Sequence, residues 1–169
     1  MILMIMRHGQ AENFREPDHT RALTKFGVAQ SEEVGKWLAG STIKTSSTNT
    51  LSKVELALVS PYLRTQQTLR SVGRHIAIDR QVTIDAITPT GNASQCADLI
   101  HGYATDNYNS EQPAPESILV VTHMPLVSLL ADKVCVEFNA RIFETADTLL
   151  CDYDVDKGIA TQIDFYQGM

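Results

Sequence analysis

Three short segments of the chain carry residue types that core packing does not call for. Arg7-His8-Gly9 follows an apolar run that begins at Ile2. Arg64 stands just beyond Ser60-Pro61, at the end of a second apolar run, and His123 lies in Thr122-His123-Met124-Pro125, at the end of a third. If the three runs are neighbours, two arginines and two histidines converge on one spot. A dianionic phosphoryl group is the natural occupant of such a spot, because the guanidinium fork matches its oxygens bidentately. Gly9 would let the backbone approach that ligand closely. A helix beginning at Pro61 or Pro125 would add N-terminal amides and a favourable dipole.

The elements that must position these groups are legible from periodicity. Residues 2–6, 54–59 and 117–122 are short and apolar throughout, as strands buried on both faces are. Thr24 is placed to cap a helix running to about Ala39, with Gly40 as its stop, and Leu23 and Val28 occupy the positions of a hydrophobic staple. Ser60 reads as a cap followed by proline at the first helical position, and Tyr62, Leu69, Val72 and Ile76 fall on one stripe of the helix that follows. Residues 82–87 read as a short strand and residues 88–91 as a turn. Ala93, Cys96, Ala97 and Ile100 mark an amphipathic helix, and Leu126, Val127, Leu129, Leu130 and Val134 mark another. Residues 41–53 and 101–116 read as loops. A closing hairpin pairs residues 148–153 with 159–165. Alternating strands and helices without a long linker imply one domain over residues 1–169, a three-layer α/β/α sandwich with a largely parallel mixed sheet. In such sheets ligands bind beyond the carboxyl ends of the strands, where all three segments stand. Helical side chains lean toward the N-terminus, so Arg64, about one turn in, can point at those ends.

Composition narrows the setting. The 169 residues are 43% hydrophobic and 20% charged, enough for a packed core. A net charge of −6 argues against nucleic acid or an anionic membrane as partner, since both require a basic face. No stretch approaches the ~20 apolar residues of a membrane span, and Arg7-His8 interrupts the initial apolar run before it could serve as a signal peptide. Cys96, Cys135 and Cys151 are widely spaced, odd in number and without a CxxC pair, which points to free thiols in a reducing cytoplasm. His8 and His123 have no carboxylate or third histidine at ligand spacing, so neither a metal nor another cofactor is expected.

Met6-Arg7-His8-Gly9, Ser60-Pro61-Tyr62-Leu63-Arg64-Thr65 with Gln67-Thr68-Leu69, and Thr122-His123-Met124-Pro125 resemble the three signatures of the histidine phosphatase superfamily, in the family's order. The chain is most similar to the SixA-type protein phosphohistidine phosphatases, whose short length, Arg-x-Leu-Thr stretch (Arg21, Leu23, Thr24) and Thr-Pro-x-Gly turn (residues 88–91) it shares. The resemblance implies a phosphoglycerate mutase-like fold. It also implies roles: His8 as nucleophile, Arg7 and Arg64 gripping the phosphoryl oxygens, His123 donating to them, and Arg21 as an additional phosphate contact. Fixed donors and positive charge are what phosphoryl transfer demands, and neighbouring guanidinium groups favour the neutral, attacking form of His8.

The chain departs from the family at Thr122, where many members have Gly or Ser, and at Met124, where a polar residue is frequent. It also lacks the acidic residue that mutase-like or acid-phosphatase members supply, which leaves Asp85 and Asp18 as alternative proton donors. A phosphoimidazole needs little help to leave, so the departure favours a phosphohistidine substrate. The implied partner is a phosphorylated histidine-containing phosphotransfer domain or carrier protein of a signalling pathway, and a short chain that leaves the pocket unroofed suits it. Two alternatives stand beside this one: a broader phosphomonoesterase acting on small molecules, and a phosphoprotein-binding module without turnover.

Overall fold

The computed structural model describes residues 1–41, 43, 51–105, 111–139 and 141–169. Among them, β1 (Ile2–Arg7), β2 (Lys53–Val59), β3 (Ala77–Thr83), β4 (Ser117–Thr122), β5 (Thr148–Asp154) and β6 (Ile159–Tyr166) form one sheet in the order β3-β2-β4-β1-β5-β6. The first four strands run parallel, and β5 and β6 are antiparallel to their neighbours, so the sheet is mixed.

The apolar runs are explained by two cores. Leu3 and Ile5 of β1 pack with Leu56, Leu58, Ile118 and Val120 against α3 (Ala93–Ala104) and α4 (Leu126–Val134). Ile2, Met4 and Met6 pack with Val54, Ala57, Val59, Leu119 and Val121 against α1 (Lys25–Gly40) and α2 (Leu63–Val72). Successive strand residues point to opposite faces, so a strand covered on both sides must be apolar at every position. The result is the α/β/α layering that the alternating pattern predicts.

Local signals act where they are decisive. The Thr24 hydroxyl accepts the Gly27 amide at 3.0 Å and starts α1, and Asn92 accepts the Gln95 amide at 3.0 Å and starts α3. Five expectations are corrected. The strand read at residues 82–87 is β3 at Ala77–Thr83, followed by a 3-10 turn at Asp85–Ile87. As an edge strand, β3 has one face that is only half-buried, and Arg80 stands on it between Ile78 and Val82, so no clean apolar alternation reveals it. Tyr62 is the residue before α2, so Ser60 does not cap that helix and Ile76 lies beyond its end. Residues 101–104 continue α3, and Leu129 faces outward from α4 at 53% exposure. The loop expectations at 41–53 and 101–116 fall partly outside the described residues. Their described ends lead into the amino ends of β2 and β4, the sheet edge opposite the three chemical segments. Among the described residues no helix is long and apolar enough to cross a membrane.

Candidate active site

Register brings the chemical segments together. Arg7 pairs with Thr122 and Val59 with Val121, so β1, β4 and β2 end side by side with β4 in the middle. Backbone bonds continue past the strands: the His8 amide donates to the Thr122 carbonyl at 3.1 Å, and the Ser60 amide to the Val121 carbonyl at 3.2 Å. His123 therefore stands between His8 and Ser60, and its ring centroid is 5.2 Å from that of His8.

His8 has a defined tautomer. Its Nδ1 lies 2.7 Å from the Gly9 carbonyl oxygen, which can only accept, so Nδ1 carries the proton. Its Nε2 accepts from Arg64 Nε at 3.2 Å. Burial, followed by the positive charge of Arg64 and Arg7, lowers its pKa to about 3 against the upward pull of the Gly9 carbonyl, and the ring is neutral at physiological pH. His123 is pushed down to about 2 by burial and then by its neighbour His8 and the arginines.

Arg64, at 2% exposure, is held by more than its salt bridge. Its two terminal nitrogens donate to the Asp18 carbonyl at 2.9 Å and to Asp18 Oδ2 at 3.1 Å, and the guanidinium lies 4.8 Å from the Tyr62 ring centroid. Arg21 donates through Nε to Asp18 Oδ1 at 2.7 Å and through Nη1 to the Glu12 carbonyl at 2.7 Å. Burial works to raise the Asp18 carboxyl, but the bonds from Arg21 and Arg64 outweigh it and hold Asp18 below its ordinary pKa. Arg7 donates through Nη1 to the Phe143 carbonyl at 2.7 Å.

These side chains line a cleft of about 350 Å³ together with Gln10, Phe14, Pro89, Met124 and Thr145. Of the residues singled out by sequence, Arg7, His8, Asp18, Arg21, Arg64 and His123 meet there. Asp85 does not: it is exposed in the 3-10 turn and lies outside the lining. The close approach at Gly9 is to α1 rather than to the cleft, since a Cβ there would lie 2.4 Å from the Gly27 carbonyl oxygen. Sequence reasoning passed over Ser60 as part of the site, whose Oγ is 2.7 Å from His123 Nε2, and Thr68, whose hydroxyl accepts the Gly9 amide at 3.0 Å and donates to the Arg64 carbonyl at 2.8 Å. Both sit inside the quoted motifs, but the partners that tie them to the site, His123 for Ser60 and Gly9 for Thr68, are remote in sequence. Among the described residues no group of three or more His, Cys, Asp or Glu gathers that could hold a metal ion.

The chain matches the model of the histidine phosphatase superfamily (branch 1) over residues 3–86. It is 31% identical over 147 residues to phosphohistidine phosphatase SixA of Escherichia coli (strain K12), covering 86% of this chain and 81% of that protein. It is 32% identical over 160 residues to the phosphohistidine phosphatase SixA homolog of Haemophilus influenzae, covering 93% and 91%. The solved structure of the protein histidine phosphatase SixA complexed with tungstate superposes with a TM-score of 0.83 at 27% identity, covering 99% of this chain and 97% of that one. With the two histidines and two arginines of the three motifs gathered at the carboxyl ends of β1, β2 and β4, this chain belongs to the histidine phosphatase superfamily, among its SixA-type members.

Proposed function

We propose that the chain is a phosphohistidine phosphatase that removes the phosphoryl group from a histidine on another protein, through a covalent phosphohistidine at His8. One observation carries the mechanism. Among the described residues, two buried side-chain nitrogen or oxygen atoms lack a hydrogen-bond partner, and they are Arg7 Nε and His123 Nδ1. Orphaned buried polar atoms are costly, and both belong to the lining of one cleft. An oxyanion there would satisfy them.

The phosphoryl group is gripped by Arg7, Arg64 and His123, with Arg21 at the edge. Arg64 Nε leaves His8 Nε2, whose lone pair then attacks phosphorus while the proton stays on Nδ1, donated to the Gly9 carbonyl. The bond from phosphorus to the substrate imidazole breaks, and the leaving ring keeps the electron pair and takes a proton that comes from solvent water. Asp18 is the carboxylate in the cleft available to relay it. Water then attacks phosphorus, releasing inorganic phosphate and restoring neutral His8. Fixed donors aimed at the equatorial oxygens supply most of the acceleration. No cofactor enters these steps.

The partner is a phosphorylated phosphotransfer domain or carrier protein, and three buried free cysteines fit a reducing cytoplasm. The rim contributed by Phe14, Pro89 and Met124 is apolar and suits the flat ring of the donor histidine. The test is turnover of a phosphorylated phosphotransfer protein beside sugar phosphates. Preference for the protein, with an acid-labile, alkali-stable phosphate trapped on the wild type and absent from His8→Ala, is the expected result. Preference for sugar phosphates would overturn the substrate class, and a binding module would show tight binding with no release.

A further inference from the structure

We infer that Ser60 is a positioning residue that fixes the tautomer of His123, placing the ring proton on Nδ1, where it serves the phosphoryl group. Ser60 is fully buried directly after β2, and its amide is bonded to Val121 on the neighbouring strand. Its carbonyl is occupied by the Thr65 hydroxyl at 3.0 Å and the Gln66 amide nitrogen at 2.8 Å. The residue has no freedom to move away from His123.

A neutral imidazole has one ring proton and two places for it. The Ser60 hydroxyl, 2.7 Å from Nε2, can donate to that nitrogen or accept from it. Its oxygen already receives the Tyr62 amide at 3.4 Å, and among the described residues no acceptor other than His123 Nε2 meets its proton. Ser60 therefore donates and Nε2 accepts, which leaves the ring proton on Nδ1. The opposite tautomer would strand the Ser60 proton in a buried place and turn the unpartnered Nδ1 into a bare lone pair beside Arg7 and Arg64. The arginines alone would favour that useless form, because positive charge attracts a lone pair. Ser60 is the group that opposes them. His123 is neutral through burial, so the choice is a real one and is not erased by double protonation.

The inference rests on the phosphatase reading of the cleft, but its main test does not. In protein labelled with nitrogen-15 at histidine, long-range proton–nitrogen correlation spectra assign each ring's tautomer directly. His123 should show a protonated Nδ1 and an unprotonated Nε2 in the resting wild type, whatever the enzyme turns over. In Ser60→Ala the ring should shift toward protonation at Nε2. Phosphohistidine turnover, as kcat/KM, should fall about tenfold, less than the loss of an oxyanion donor because the ring still samples the right form. Ser60→Cys, of similar shape with a weaker donor, should fall between. A wild-type His123 protonated on Nε2 overturns the inference, as does a Ser60→Ala variant with unchanged tautomer and unchanged turnover. A correct tautomer in a protein that hydrolyses no phosphohistidine would overturn the proposed function instead.

Discussion

Arg64 Nε donates to His8 Nε2 at 3.2 Å, so the nitrogen proposed to attack phosphorus is capped in the resting site. The same guanidinium donates from both terminal nitrogens to Asp18, which also holds Arg21. Asp18 thus occupies, with respect to both arginines, the electrostatic place of a phosphoryl group. On the proposed mechanism an arriving dianion would win by carrying more charge and more acceptor oxygens, and Arg64 would exchange partners as it binds.

Asp18→Asn tests this exchange. Removing the carboxylate frees two cations for the ligand, and inhibition by tungstate or inorganic phosphate should tighten about threefold to tenfold, a modest gain because Asp18 is partly solvated. Competitive inhibition constants measure it. Unchanged or weaker inhibition would show that Asp18 helps to hold the arginines rather than competing for them.

Acid stability follows from the two buried histidines. Both are depressed below 6.5, to about 3 for His8 and about 2 for His123, so the unfolded chain binds protons first as pH falls. The stability these neutral rings retain is complete above pH 6.5 and is lost as pH drops through the interval down to their folded values. At pH 5 each ring costs about 2 kcal/mol relative to neutral pH. Urea midpoints at pH 7.5 and pH 5 should differ accordingly, and His123→Gln should shrink the difference by about half. Equal pH sensitivity in that variant would mean that other groups control the loss.

Gly9→Ala probes the seat of the proposed nucleophile. Its Cβ would lie 2.4 Å from the Gly27 carbonyl oxygen and 2.7 Å from Ser31 Oγ, contacts that neither backbone nor a bonded hydroxyl can relieve cheaply. The end of β1 and the start of α1 must separate, at a cost of about 2 kcal/mol or more. His8 is displaced with them, since its Nδ1 partner is the Gly9 carbonyl. Thermal unfolding and turnover should both fall, and a variant of wild-type stability would contradict the packing.

The sequence made the sheet legible where chemistry and burial agree. Leu3, Met4 and Ile5 are apolar because helices cover both faces of β1, and His8 and His123 follow such strands because the site lies at their ends. β3 is hard to read because its inward face is only half-buried and Arg80 interrupts it between Ile78 and Val82. Ser60 reads as a helix cap because its true partner, His123, lies 63 residues away, and local pattern carries no information about such a pair. Asp85 and Asp18 looked equivalent in sequence; only the fold sets one in the cleft and the other in solvent. The Asp18 clamp on Arg64 spans 46 residues and was equally invisible.

Arg64→Lys separates charge from geometry at the centre of the site. Lysine keeps one positive charge but has neither the planar fork nor the flat face that lies 4.8 Å from the Tyr62 ring centroid. It cannot span His8 Nε2, the Asp18 carbonyl and Asp18 Oδ2 at once, as Arg64 does. A point charge would still attract a dianion, so KM should change little. The equatorial oxygens, however, would lose their paired donors in the transition state, and kcat should fall about a hundredfold or more. The pattern to look for in steady-state kinetics is therefore a loss confined to kcat. A variant that loses affinity and keeps kcat would assign Arg64 to docking the phosphoryl group, with its transfer left to Arg7 and His123.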